Sequence, residues 1–362
     1  MTMSLDTGTY KPAKPSRFNA ERLQRWSRGA GKFTETIGLG WLAPFFFIGA
    51  GEPASDELKK LWERLVVPII ALVLFMAAWG WAAPNINTSL GAVPGPAQVA
   101  EQAGALWEAH VNERERADAF YERQRVRNAA ILEQDPTAEV RIRQYTGAPT
   151  YIDQIFTSLK TVFAGFLLAS VVAVPIGVAC GLSRTVQAAL NPIIQILKPV
   201  SPLAWLPIVT MVVSALYVSD DPLVPKAFIN SAITVTLCSL WPTLINTAVG
   251  VASIDKDLLN VGRVLRLSTW TKIRRLVLPS SLPYIFTGLR LSLGVGWMVL
   301  IAAEMLAQNP GLGKFVWDEF QNGSSASLAR IMVAVLTIGF IGFLLDRLMY
   351  ALQAAFAPQT DR

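Results

Sequence analysis

The chain has 362 residues, 52% of them hydrophobic and only 16% charged, with 32 Lys and Arg against 26 Asp and Glu. Soluble domains carry about 25% charged residues, and here the deficit is concentrated, with no charge in 161–183, 199–219 or 227–254. A membrane-spanning helix needs about 20 apolar residues, so a soluble enzyme is excluded and a polytopic membrane protein is expected. The net charge of +6 lies beside apolar runs, the pattern of membrane orientation rather than of a nucleic-acid surface.

In chain order, residues 1–64 hold ten Lys and Arg and lack the short apolar core of a secretory signal. This region is expected to be cytoplasmic. Within it, 36–51 is uncharged but short, and Gly38, Gly40 and Pro44 interrupt it, so an interfacial segment with an aromatic face of Phe45, Phe46 and Phe47 is expected. The first span is expected at 65–82. Residues 83–155 are polar, with Gln98–Arg143 rich in Glu, Arg, Ala and Gln, and read as a periplasmic insertion of one or two helices. That insertion is either a solvated surface or a docking surface for an outside partner. A core over 156–355 follows, with spans expected at 161–182, 199–217, 228–250, 283–306 and 328–350, and then a cytoplasmic tail at 356–362. The loop 251–282 holds six Lys and Arg, while 218–227 and 307–327 hold one each. Six spans with both termini in the cytoplasm satisfy that bias.

Several residues inside the spans are informative. Gly165, Ala169, Ala173 and Gly177 share one helix face, as do Gly288, Ser292 and Gly296, and such faces let helices approach closely. Three prolines in 199–207 make an irregular helix, which membrane depth tolerates only where it is buried in protein or faces water. Ser201 and Trp205 are therefore pathway candidates. Arg290 and Glu304 lie fourteen residues apart on one span, about 21 Å, too far to pair. Arg290 either snorkels and bonds span-end carbonyls or supplies a positive point on an anion pathway. Glu304 either bonds a neighbouring span or the 311–313 loop, or joins that pathway. Asp346 and Arg347 read as a boundary marker. Cys180, Cys238 and the single His110 offer no metal spacing.

The loop 251–282 carries the most specific pattern. Asp255 to Leu265 reads as a short amphipathic helix, followed by a turn near Ser268, a second basic helix, and then Leu278-Pro279 leading to Pro283. Asn260-Val261-Gly262 stands in the helix, and Leu258, Leu259 and Val261 are its apolar positions, suited to a groove on a partner. This resembles the coupling loop of bacterial ABC importer permeases, in which a small-residue triplet precedes a glycine and an apolar-x-Leu-Pro ending. Arg266 stands where the general family has glycine; the form with arginine resembles nitrate, bicarbonate and cyanate permeases. Similar strings recur at 246–251, 283–290, 302–305, 311–313 and 344–347, so the resemblance covers about 150–355.

The resemblance implies an all-α type I ABC importer permease fold of about six spans, in the bacterial inner membrane. It implies two copies of the chain, two cytoplasmic P-loop ATPase subunits and a periplasmic substrate-binding protein. Coupling to the ATPases would fall to Asp255, Asp257, Leu258, Leu259, Asn260, Val261, Gly262, Arg263, Arg266, Leu278 and Pro279. The chain has no P-loop of its own, since Gly31-Lys32 and Gly313-Lys314 are each followed by Phe. No cofactor and no catalysis are expected on it, with ATP and Mg held by the partners. The expected cargo is a small inorganic anion, nitrate or nitrite first; bicarbonate, cyanate and taurine or alkanesulfonate are alternatives, and an ATP-independent transporter or channel is the remoter one.

Overall fold

The computed structural model describes residues 24–27, 29–31, 34, 40, 42–50, 54–88, 91–218, 224–324 and 326–356. Among them, five helical stretches are long and apolar enough to cross a membrane: Asp56–Asn85, Tyr151–Leu182, Lys226–Ala252, Thr269–Ala307 and Ser327–Phe356. The chain divides into two compact units, Met1–Phe75 and Met76–Arg362.

In the first unit, α1 (Ala43–Gly49) precedes α2 (Ala54–Leu61), a wide π turn at Trp62–Val66, and the start of α3 (Val67–Ala82). Trp26 meets Phe46 edge-on with centroids 6.3 Å apart. Helix α1 falls in the expected interfacial segment 36–51, of which 36–39, 41 and 51 lie outside the described residues. The helical stretch that holds the expected first span 65–82 starts earlier, at Asp56, because good helix formers such as Leu58, Lys59, Lys60 and Leu61 carry the helix on into the apolar residues.

The second unit opens with a two-residue hairpin, β1 (Asn87–Thr88) against β2 (Gly91–Ala92), and the 39-residue α4 (Pro96–Gln134), about 58 Å long. Residues 135–150 then return along α4 as an extended strap. Gln124 fastens it by exchanging two hydrogen bonds with the Arg143 backbone (2.7 and 2.8 Å), and Tyr145 donates its hydroxyl proton to Glu113 (2.7 Å). That acceptor holds the Tyr145 phenol above its usual pKa. The strap ends at Thr150, which caps α5 (Tyr151–Leu182) in a reciprocal pair with Asp153 and meets His110 Nδ1 at 2.6 Å.

The expected span 199–217 is one arm of a broken pair: α6 (Arg184–Leu197) and α7 (Pro202–Leu216) are bent by 101°, and the described helices give six spans when the pair counts as one. Helix α7 alone rises about 22 Å, short of the roughly 30 Å hydrocarbon core, so that crossing needs both arms. The break follows from Pro199, which has no N–H to continue the ladder, and from Ser201, whose Oγ accepts from Leu203 N (3.3 Å) and starts a new helix.

Helix α8 (Lys226–Ala252) lies between α5 and a long stretch comprising α10 (Thr269–Lys272), a π turn at Ile273–Val277 and α11 (Leu278–Ala307). The two small-residue faces both meet α8. A Cβ on Gly177 would stand 2.7 Å from Leu244 O, and one on Gly288 2.9 Å from Thr243 Cα. Ser292 enters the α8 ladder itself: its Oγ accepts from Thr243 N (3.1 Å) and donates to Ser239 O (2.5 Å). Leu293, Trp297 and Leu300 of α11 form the core with Val162 and Phe166 of α5 and Val333 and Ala334 of α13 (Ser327–Phe356), beside α12 (Leu312–Asn322).

Candidate functional site: the loop helix and the charges within the spans

The segment joining α8 to α10 forms one helix, α9 (Lys256–Val264). Asp255 caps it, its Oδ1 accepting from Asp257 N (2.9 Å), while Arg263 in the last turn suits the negative helix end and meets Asn260 Oδ1 at 3.3 Å. The helix stops in a Schellman turn: Leu267 N bonds Gly262 O (3.1 Å) and Arg266 N bonds Arg263 O (2.9 Å). Arg266 stands between them with φ +49°, in the left-handed region. The position at which the resembled loops carry glycine is thus left-handed in this chain, and arginine occupies it at a cost of about 1–3 kcal/mol. Gly262 brings α9 close to the return segment, since a Cβ there would lie 2.8 Å from Leu276 Cδ1 and that side chain would have to turn aside.

The two faces of α9 differ from the expectation. Leu258 and Leu259 pack onto the chain's own cluster of Val178, Val251, Ile254 and Val277. The apolar residues left outward are Val261, Val264 and Leu265, at 50, 82 and 63% exposure. Leu258 and Leu259 therefore hold the helix to the core, and the face open to a partner sits at i, i+3 and i+4 from Val261. Asp257, Asn260, Arg263 and Arg266 are also exposed.

The second basic helix is not separate from the fifth span. Leu278 N bonds Ile273 O across the π turn, and Pro279, which has no N–H to give, follows in the first turn of α11. Leu278 packs against the same cluster as Leu258. The return segment and the span are thereby one continuous element, Thr269–Ala307.

Arg290 has a partner that the sequence reading did not assign. Its Nε and Nη2 donate to Asp346 Oδ1 and Oδ2 of α13 at 2.5 and 2.9 Å. Arg347 Nη2 donates to the same Oδ2 (3.1 Å), and both guanidiniums lie over the Tyr350 ring at 5.7 and 5.4 Å. Asp346 and Arg347 are thus not a mere boundary marker. Two guanidiniums share one carboxylate, which leaves one net positive charge beside a cavity of about 560 Å³. The signal was present: an arginine within a span whose own helix offers an acid only at Glu304, about 21 Å away, calls for one at matching depth on another helix.

Glu304 has 0% exposure. It accepts from Ser158 Oγ of α5 (2.8 and 2.9 Å) and from Gly313 N (3.0 Å), and Ser158 Oγ in turn accepts from Leu312 N (2.8 Å). Of its two expected roles this is the bond to a neighbouring span and to the 311–313 loop. A fully enclosed side chain lines no passage, so its place among the pathway candidates is corrected. Asn309 adds a bond to Thr161 Oγ1 (3.2 Å), fastening the same corner. Ser201 is exposed and acts as a cap, and Trp205, on α7, has an Nε1 with no hydrogen-bond partner among the described residues. Neither meets Arg290 around the cavity.

Residues 173–362 match the family model described as "binding-protein-dependent transport system inner membrane component". The chain is 38% identical over 196 residues to the nitrate import permease protein NrtB of Synechococcus elongatus, covering 54% of this chain and 66% of that protein. It is 40% identical over 206 residues to the bicarbonate transport system permease protein CmpB of a Synechocystis species, covering 57% and 69%. The chain thus spans about two thirds of the length of these relatives. Among solved structures, an inward-facing MetNI methionine ABC transporter matches with TM-score 0.45 and 16% identity, over 56% of this chain and 95% of that one.

Proposed function

Because the chain belongs to the family of inner-membrane components of binding-protein-dependent transport systems, we propose that it is the permease subunit of an ATP-driven importer for a small inorganic anion, nitrate or nitrite first. The observation that carries the reading is α9, a capped helix rooted in the core by Leu258 and Leu259 that holds Val261, Val264 and Leu265 outward. A chain without a motor needs such an element to receive movement from one. Helix α9 is joined by a Schellman turn to the stretch Thr269–Ala307 that carries Arg290, and Leu258, Leu259 and Leu278 pack on one cluster, so a push on α9 passes to that stretch through the turn and this packing.

In this reading the fold is of the type I importer class. Both termini and α9 are cytoplasmic, and residues 83–150 lie outside. Two copies of the chain enclose the path, two P-loop ATPases hold ATP and Mg beneath them, and a binding protein delivers the anion from outside. Arg290 attracts the anion, with Ser201 and Trp205 on the broken α6–α7 segment as further pathway candidates. Bicarbonate is the second reading, favoured by the CmpB match. The test is a cysteine replacing Val264 in the assembled complex. It should cross-link to the ATPase, and the complex should contain two copies of the chain for two ATPases. No cross-link, or one copy with intact transport, contradicts the arrangement.

A further inference from the structure

The Arg290 guanidinium carries five N–H donors. Asp346 takes the Nε proton and one on Nη2, at 2.5 and 2.9 Å. Both Nη1 protons and the second on Nη2 are left over. The pair is the common wall of two cavities, since Arg290, Gly294 and Asp346 line both the 560 Å³ space and a second of about 90 Å³ reaching Trp297 and Gly342. Arg290 is 34% exposed, not sealed within the core, and Arg347 Nε beside it is buried without an acceptor. Positive charge, spare donors and open volume therefore meet at one place, with a resident carboxylate already there.

We propose that Asp346 is a built-in competitor for the transported anion at Arg290. A monovalent anion in either cavity can accept from the spare Nη protons, but it does so against the carboxylate that holds the other edge of the same guanidinium. The carboxylate fixes the direction in which Arg290 points and cancels part of its field. Two bare guanidiniums at low dielectric would hold an anion tightly; one net positive charge attracts it and lets it leave. Conduction needs binding that is favourable enough to enter and weak enough to release. Asp346 is thus a specificity-determining residue that sets affinity without being the attractor. This inference rests on the reading of the chain as an anion permease.

The experiment uses the complete permease–ATPase complex, with 15N-nitrate as the probe. Nitrate binding to the complex without binding protein is followed by line broadening, and maximal uptake is measured in vesicles with binding protein added. Asp346→Asn should lower the half-saturating nitrate concentration about tenfold, equivalent to roughly 1.4 kcal/mol, while slowing maximal uptake. A merely structural Asp346 would weaken binding instead. Gln353→Asp, which adds a carboxylate to the wall of the larger cavity, should raise the half-saturating concentration severalfold, and it carries the test alone if Asp346→Asn does not assemble. Weaker or unchanged binding in Asp346→Asn, or unchanged binding in Gln353→Asp, overturns the proposal. Arg290→Gln separates the two failures. If it lowers uptake while the Asp346 and Gln353 variants miss their expected shifts, only the competitor role falls. If it transports at the normal rate, the pathway reading of Arg290 falls as well.

Discussion

Asp placed at Val264 and Asp placed at Leu258 introduce the same charge on two different faces of one helix, one exposed and one against the core, and their effects should separate cleanly. Val264 is 82% exposed, so the free chain should barely notice the change, within about 0.5 kcal/mol for an open surface site. Seated in a groove on an ATPase, the valine would contribute about 1.5–3 kcal/mol of apolar burial. The carboxylate that replaces it adds an unpaired polar group costing roughly 1–3 kcal/mol more. A combined loss of about 2.5–6 kcal/mol weakens ATPase binding by roughly sixtyfold to twenty-thousandfold. Leu258 packs onto Val178, Val251, Ile254 and Val277, so Leu258→Asp should instead cost the permease itself about 2–5 kcal/mol. Size-exclusion co-elution with the ATPase and thermal unfolding of the permease alone read the two effects. Val264→Asp should unfold normally and lose the ATPase; Leu258→Asp should unfold early. Val264→Asp that keeps both the ATPase and uptake would refute α9 as the docking element.

Arg266→Gly should stabilise the loop by about 1 kcal/mol, because glycine adopts φ +49° without a Cβ penalty; slower hydrogen exchange at Leu267 N would register it, and faster exchange would contradict it. Glu304→Ala leaves Ser158 Oγ without its acceptor oxygens and Gly313 N without any, at about 1–3 kcal/mol for each buried group. Glu304→Gln keeps an acceptor oxygen and should unfold at a temperature between those of the native protein and Glu304→Ala. Gln124→Ala removes both bonds to Arg143; proteolysis should then speed up between 135 and 150 while the spans remain intact, and an unchanged cleavage rate would show that the strap is held elsewhere.

The features readable in the sequence were those set by short-range periodicity. Charge-free runs marked the long helices, and the small-residue faces at four-residue spacing on α5 and α11 did turn out to clasp α8. The turn near Ser268 was legible because turn chemistry is local, whereas the cap at Asp255 and the close approach at Gly262 came from the structure. Facts that depend on packing were not readable. Arg290 and Asp346 are 56 positions apart, and no spacing along the chain brings them together. Helix α9 is apolar on two sides, so periodicity could not tell which side faces the core; Ile254 and Val277 decide that Leu258 and Leu259 do. The 101° bend lies at 198–201, at the start of the charge-free run, and α6 before it was not part of the expected span. Proline and Ser201 marked irregularity there, but its angle depends on how α6 and α7 pack.

The central claim is ATP-driven uptake of a small anion through this chain. The direct measurement is accumulation of labelled nitrate in vesicles carrying the permease with its ATPase, with binding protein outside and ATP either enclosed or omitted. Accumulation above the outside concentration with ATP, and none without it, is the predicted result. Equal uptake with and without ATP would identify a channel or secondary transporter, and ATP-driven accumulation of bicarbonate but not nitrate would overturn the assigned cargo.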